Sequence, residues 1–153
     1  MATTITGGCL CGGVRFEATL PFSDANYCHC SRCRKHSGSE FGVQARVPRE
    51  QFRLLSGGEL ITVYRPDGGR VKAFCSVCGW SLFGREWPEG DEIAIRLGAL
   101  DGDPGIRPDF HAFAESAPPW APVRDDGLPR YAEGFHSAVG TVVKCSGCHD
   151  DSN

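Results

Sequence analysis

Near the start of the chain apolar and polar side chains alternate: Val14, Phe16, Ala18 and Leu20 are separated by Arg15, Glu17 and Thr19. A period of two belongs to a strand with one face on a core and the other toward water. The alternation returns at Phe41, Val43, Ala45 and Val47. Residues 60–64 and 71–74 are apolar-rich runs on either side of Pro66-Asp67-Gly68-Gly69, which predicts a hairpin. Ile93, Ile95 and Leu97 predict another strand, and residues 110–114 a further one. Only Ser31–Ser37 and residues 48–52 read as short helical turns, the second opening on a proline where a helix tolerates it best. With 20 glycines and 10 prolines in 153 residues, the runs are too short for long helices or a doubly wound sheet. The pattern predicts a mainly-β fold with short helical turns.

The run Ala117-Pro118-Pro119-Trp120-Ala121-Pro122 cannot pair as a central strand, since proline lacks the amide donor, and is expected to lie extended on the surface. Beyond Phe135 the apolar periodicity fades. The expected organisation is one domain over residues 1–135 and a tail over 136–153.

Charge narrows the function classes. A formal net charge of -3 gives no overall basic field to draw the chain to nucleic acid or an anionic membrane. No stretch of about 18 apolar residues occurs, and residues 1–8 carry neither a basic cluster nor an apolar leader segment. The cytoplasm is the expected location.

Nine cysteines change the picture most. Their number is odd, which fits a complete disulfide framework poorly, and in a reducing compartment metal ligation is the better reading. They fall into groups: Cys9 and Cys11, then Cys28, Cys30 and Cys33, then Cys75 and Cys78, then Cys145 and Cys148. Cys75-x-x-Cys78 follows an apolar strand and is followed by Gly79, which permits the positive φ such a turn needs. A tight turn of this kind offers two thiolates to one zinc, and two further ligands must come from elsewhere. Cys9 and Cys11 are one candidate pair, because residues i and i+2 of an extended chain share a face. Such a four-cysteine structural site would close a loop of more than sixty residues.

Cys28, Cys30 and Cys33 offer three thiolates within six residues. A catalytic zinc typically keeps three protein ligands and an open position, whereas a structural zinc is closed. The rival reading is a second closed site completed by His29, His36 or a tail cysteine. His29 stands between two same-face cysteines and is expected to point away from the metal, packed or hydrogen-bonded. Arg32, Arg34, Lys35 and His36 form the densest basic run; it is either a solvated turn or a clamp for substrate carboxylates, Arg acting bidentately. In the tail, Cys145-x-x-Cys148-His149 matches the c-type haem attachment pattern, but the sole Met is Met1 and no export signal accompanies it. An accessory metal clip, a redox or disulfide pair and a disordered end stay open for it.

In order and spacing, the blocks Gly8-Cys9-Leu10-Cys11-Gly12-Gly13, Cys28-His29-Cys30-Ser31-Arg32-Cys33 and Phe74-Cys75-Ser76-Val77-Cys78-Gly79 resemble the glutathione-dependent formaldehyde-activating enzyme family. Residues 96–101, His111 with Phe113, Pro119-Trp120 and Asp126-Gly127-Leu128-Pro129 are similar to it as well, so the likeness spans residues 3–135. The resemblance implies several small antiparallel sheets built around a structural zinc held by Cys9, Cys11, Cys75 and Cys78. It implies a second, catalytic zinc on Cys28, Cys30 and Cys33. The implied activity is that of a carbon-sulfur lyase, the reversible condensation of glutathione or a similar thiol with formaldehyde or a related small electrophile. Arg32, Arg34 and Lys35 are the candidates for the glutathione carboxylates. A non-catalytic zinc module that binds a protein partner is the alternative function.

Overall fold

A computed structural model describes residues 2–136 and 141–143. In chain order the elements are β1 (Thr4–Gly8), β2 (Arg15–Thr19), β3 (Asp24–Cys28), α1 (Ser31–Ser37), β4 (Gly42–Pro48), β5 (Phe52–Ser56) and β6 (Ile61–Tyr64). They continue with β7 (Lys72–Cys75), β8 (Ser81–Arg85), β9 (Glu92–Arg96), β10 (His111–Ala112), β11 (Gly134–His136) and β12 (Thr141–Val143). Short 3-10 turns fill four of the connections. The strands form a sheet in the order β1-β2-β5, a seven-stranded sheet in the order β10-β3-β4-β9-β8-β7-β6, and the pair β11-β12. Every pairing is antiparallel except β10 on β3.

The mainly-β expectation holds, and one sheet is larger than expected. Its middle strands explain why. Leu82, Phe83 and Gly84 of β8 are buried in succession, as are Asp24, Ala25 and Asn26 of β3, so neither strand shows alternation. Strands covered on both faces lose the period of two on which sequence patterning relies.

The three-stranded sheet lies across the seven-stranded one, and the aromatic side chains between them form the centre of the core. Phe83 sits edge-on to Phe16 and to Phe52, both with ring centroids 5.2 Å away, and stacks on Trp87 at 4.3 Å. Val14, Ala18, Ala45, Val47, Ile93 and Ile95 fill the space around them. Within the large sheet, Arg46 on β4 donates through Nε to Asp24 Oδ1 on β3 at 2.6 Å, and the register puts the two residues opposite each other. Both are buried, so this charge pair is satisfied inside the fold.

Two local expectations change. Cys9 and Cys11 lie on the turn between β1 and β2, not on extended chain: the Gly12 amide donates to the Cys9 carbonyl at 3.0 Å and the Cys9 amide to Val14 at 3.1 Å. Residues 117–122 also turn, with the Ala121 amide donating to the Pro118 carbonyl at 2.9 Å, and those two residues are buried while Trp120 stays exposed. Packing of small apolar groups competes successfully with extension there. The backbone pair β11-β12 crosses the boundary expected at residue 135. Cys145, Cys148 and His149 lie outside the described residues. Among the described residues no helix is long and apolar enough to cross a membrane.

Phe83 is fully buried and touches three other rings, so Phe83→Ala is expected to cost about 3–5 kcal/mol of unfolding free energy. Urea denaturation with an unchanged m-value checks this.

Candidate metal centre

Two tight turns of the same design meet at one place. In each, a glycine amide donates back to the first cysteine carbonyl, Gly12 to Cys9 at 3.0 Å and Gly79 to Cys75 at 2.8 Å. Gly12 and Gly79 sit at φ 78° and 74°, a conformation that costs glycine nothing. The turns bring the sulfurs of Cys9, Cys11, Cys75 and Cys78 within 4.8 Å of one another. Cys9 and Cys11 are 3.5 Å apart, and Cys11 and Cys75 3.9 Å. A tetrahedral zinc with ~2.3 Å bonds to sulfur has sulfur-sulfur edges of about 3.8 Å, so the donor set fits that ion. The Val14 amide donates to Cys9 Sγ at 3.2 Å, an interaction that favours thiolate.

The electrostatics of this quartet are unequal. Burial works against Cys78, but the amides of Cys11 and Trp80 and the neighbouring thiols bring it down to about 6. The Gly13 amide favours the Cys11 thiolate, yet Cys9 beside it leaves Cys11 raised to about 11. Sulfurs this close cannot all shed their protons unless a cation compensates them.

The second cluster stands where β3 ends and α1 begins. Cys28, Cys30 and Cys33 are all buried, their sulfurs lie within 4.8 Å of one another, and Cys28 and Cys30 are 3.6 Å apart. Cys30 is also the cap of α1, its Sγ accepting the Cys33 amide at 3.3 Å, the place a Ser or Asp usually takes. Among the described residues no fourth Cys, His, Asp or Glu ligand atom joins the three. The thiols of Cys28 and Cys30, with the charges of Lys72 and Arg96, hold Cys33 well below the ordinary thiol range, while Cys30, Cys33 and burial push Cys28 up. All seven described cysteines are free.

The basic run divides. Arg32 and Lys35 face a cavity of about 550 Å³, joined there by His36, Tyr64, Asp67 and Lys72. Arg32 Nη2 donates to the Asp67 carbonyl at 3.2 Å. Arg34 does not line this cavity; its Nη1 donates to the Ser116 carbonyl at 3.0 Å and ties α1 to the segment after β10. Arg34 and Lys35 also fall in the last turn of α1, where positive charge suits the helix dipole. Burial, then the charges of Arg96 and Lys72, hold His36 down to about 4, so it is neutral at physiological pH.

His29 is not a member of the sulfur cluster. It is 2% exposed, and its Nε2 lies 2.9 Å from His111 Nδ1. His111, 1% exposed, places its Nε2 at 3.2 and 3.1 Å from the two carboxylate oxygens of Asp126. The carboxylate accepts, so His111 donates through Nε2, and its Nδ1 shares a hydrogen bond with His29 Nε2. His29 Nδ1 is buried without a hydrogen-bond partner among the described residues. The Leu128 amide, at 3.1 Å from Asp126 Oδ1, and then His111 hold the Asp126 carboxyl below the usual carboxylate range. Sequence reasoning singled out His29 and its orientation. It did not find Lys72, Arg96 or the link to Asp126, which come together only through strand pairing.

The family model for "Glutathione-dependent formaldehyde-activating enzyme" matches residues 4–116. Relatives carrying that family's name include one from Talaromyces marneffei, 31% identical over 71% of this chain and 60% of its own length. One from Podospora anserina is 29% identical over 71% of this chain and 53% of its own. One from Penicillium rubens is 34% identical over 50% of this chain and 41% of its own. The chain thus spans about half the length of the curated relatives it matches. A crystal structure of a Rhodobacter sphaeroides protein is similar with a TM-score of 0.52 and 27% identity, covering 64% of this chain and 89% of that one.

The buried histidine pair generates a prediction. His111→Ala leaves His29 Nε2 without its partner and is expected to cost about 1–3 kcal/mol in stability. Because the Asp126 carboxyl is depressed in the fold, its contribution is present above the unfolded value of about 3.9 and fades as pH falls through the folded value. The melting temperature of Asp126→Asn should therefore lie beneath that of the parent chain at pH ~6 and approach it as pH falls through the folded value.

Proposed function

The chain belongs to the glutathione-dependent formaldehyde-activating enzyme family, and we propose that it condenses glutathione, or a similar thiol, reversibly with formaldehyde or a related small electrophile as a zinc-dependent carbon-sulfur lyase. The observation that carries this reading is the buried three-sulfur cluster, which lacks a fourth ligand among the described residues. Cys28, Cys30 and Cys33 would hold the reactive zinc, and Cys9, Cys11, Cys75 and Cys78 the structural one. When bound, the reactive ion supplies a preference for thiolate over thiol.

The protein's own residues supply position. Arg32 and Lys35 project into a cavity that also receives Lys72, whose Nζ is 3.5 Å from Cys33 Sγ. A tripeptide carboxylate held by Arg32 and Lys35 would set its sulfur beside the cluster, converting an encounter in water into reaction at a fixed point. Arg34 holds the end of α1 in place through Ser116. In the forward direction the substrate sulfur attacks the aldehyde carbon, a carbon-sulfur bond forms, and the carbonyl oxygen takes a proton from water. In the reverse direction the same bond breaks. A reducing compartment, the cytoplasm, keeps the seven described thiols available.

The zinc-loaded chain is expected to carry two zinc ions and to accelerate adduct formation from glutathione and formaldehyde, followed by NMR exchange. Cys28→Ser should lose one zinc and at least about a hundredfold in rate while staying folded, and Cys75→Ser should lose cooperative folding. A rate for the loaded chain equal to the uncatalysed one overturns the proposed activity.

A further inference from the structure

Two buried cations lie next to the three-sulfur cluster, and neither has a carboxylate partner among the described residues. Lys72 is 8% exposed and Arg96 6%. Buried Arg46, by contrast, has Asp24 opposite it. The hydrogen bonds of Arg96 go to neutral groups, Ser81 Oγ at 3.2 Å and Gln44 Oε1 at 2.5 Å. These bonds satisfy its donors and leave its charge uncompensated. An isolated buried charge is costly enough that folds do not retain it without an opposite charge nearby.

The opposite charge here is sulfur. Lys72 Nζ donates to Cys33 Sγ at 3.5 Å. Arg96 comes near the same residue at Gly42. A Cβ placed on Gly42 would lie 3.3 Å from Cys33 Cβ, 3.8 Å from Cys33 Sγ and 3.4 Å from Arg96 Nη1. Glycine there lets the guanidinium and the cysteine approach one another. The cations come from β7 and β9; Lys72 touches the Cys33 sulfur and Arg96 lies near the same residue of α1.

The charges balance when the fourth ligand is itself an anion. Three thiolates around a divalent ion leave one net negative charge, and two cations overcompensate it. A fourth thiolate brings the total to two negative charges, which the two cations match. His36, neutral at physiological pH, does not alter the sum. Arg32 and Lys35 face the larger cavity and are available to other anionic groups of the ligand.

We propose that Lys72 and Arg96 are the counter-charges for a fourth, incoming thiolate at the Cys28/Cys30/Cys33 cluster, so that the site selects an anionic sulfur ligand over neutral ligands. This rests on the reading of that cluster as an open metal site. The two residues are specificity-determining residues that act through their field and do not react themselves. The charge needed for selection is thus built into the large sheet, apart from the basic run on the helix.

Cobalt(II) loaded into the full chain gives the test, since sulfur-to-cobalt charge-transfer absorption reports thiolate binding without turnover. Glutathione and imidazole, an anionic and a neutral ligand, are titrated separately at one fixed pH. The expected result is a loss of about tenfold or more in glutathione affinity for Lys72→Met and for Arg96→Gln, with imidazole affinity unchanged. Lys72→Arg should retain the preference, and circular dichroism should show all three variants folded. Equal losses for both ligands, or lost cobalt retention with an unchanged glutathione-to-imidazole ratio, overturn the proposal. If Lys72→Met does not fold, Arg96→Gln and Lys72→Arg decide it by the same ratio. A parent chain that takes up no thiolate overturns the open-site reading and the proposal together. Thiolate uptake that ignores the substitutions overturns the proposal alone.

Discussion

Crowding seven thiols into two small volumes is the constraint from which the rest of the structure follows. Sulfurs at 3.5–3.9 Å repel once ionised, so each cluster needs positive charge from somewhere. Each also needs a backbone that brings its cysteines together without spending buried polar groups. In the four-sulfur cluster two glycine turns do this, at the β1-β2 and β7-β8 corners. Cys11 and Cys75 are 64 positions apart, so the contact fastens the three-stranded sheet to the large one. Closing a loop of that length is costly for a chain rich in glycine, and an ion shared by the four sulfurs would offset that cost where the aromatic core does not reach.

The surroundings of the two clusters meet the charge problem differently. The first has four sulfurs, with Cys11 exposed, so water and a bound ion together would compensate it. The second has three sulfurs, all buried, flanked by Lys72 and Arg96. A closed site needs no further cation inside the protein. A buried, incomplete one does if its missing ligand is negative. The cavity bordered by Arg32, Lys35 and Lys72 provides an approach of the same sign.

Particular residues show what could be read in advance. Cysteine spacing separated the clusters, and Gly79 after Cys78 announced the left-handed turn found there. Helix α1 spans the residues its pattern marked, Ser31–Ser37, although its cap is a thiol. Strands with one wet face were legible, as at Arg15–Thr19, whereas β3 and β8 were not, because burial on both sides erases alternation. The basic run on α1 was visible as charge but its division was not, since one register step on a helix decides whether a guanidinium meets the cavity or Ser116. Lys72 gave no local signal, and Arg96 only its place in the block 96–101. Each is a single cation in a strand, and only the pairing of β4 with β9 and of β7 with β8 sets both beside Cys33.

The chain beyond the family match also bears on the site. That match ends at residue 116, yet Asp126 accepts from His111 Nε2, and His111 in turn hydrogen-bonds His29, which stands in sequence between Cys28 and Cys30. Arg124 pairs with Glu40 at 3.0 Å and lies over the Phe41 ring at 5.3 Å, next to the start of β4. The segment carrying these two side chains forms part of the support of the three-sulfur cluster although its sequence lies outside the matched region. Change confined to that segment can therefore alter how the cluster is held without touching a cysteine.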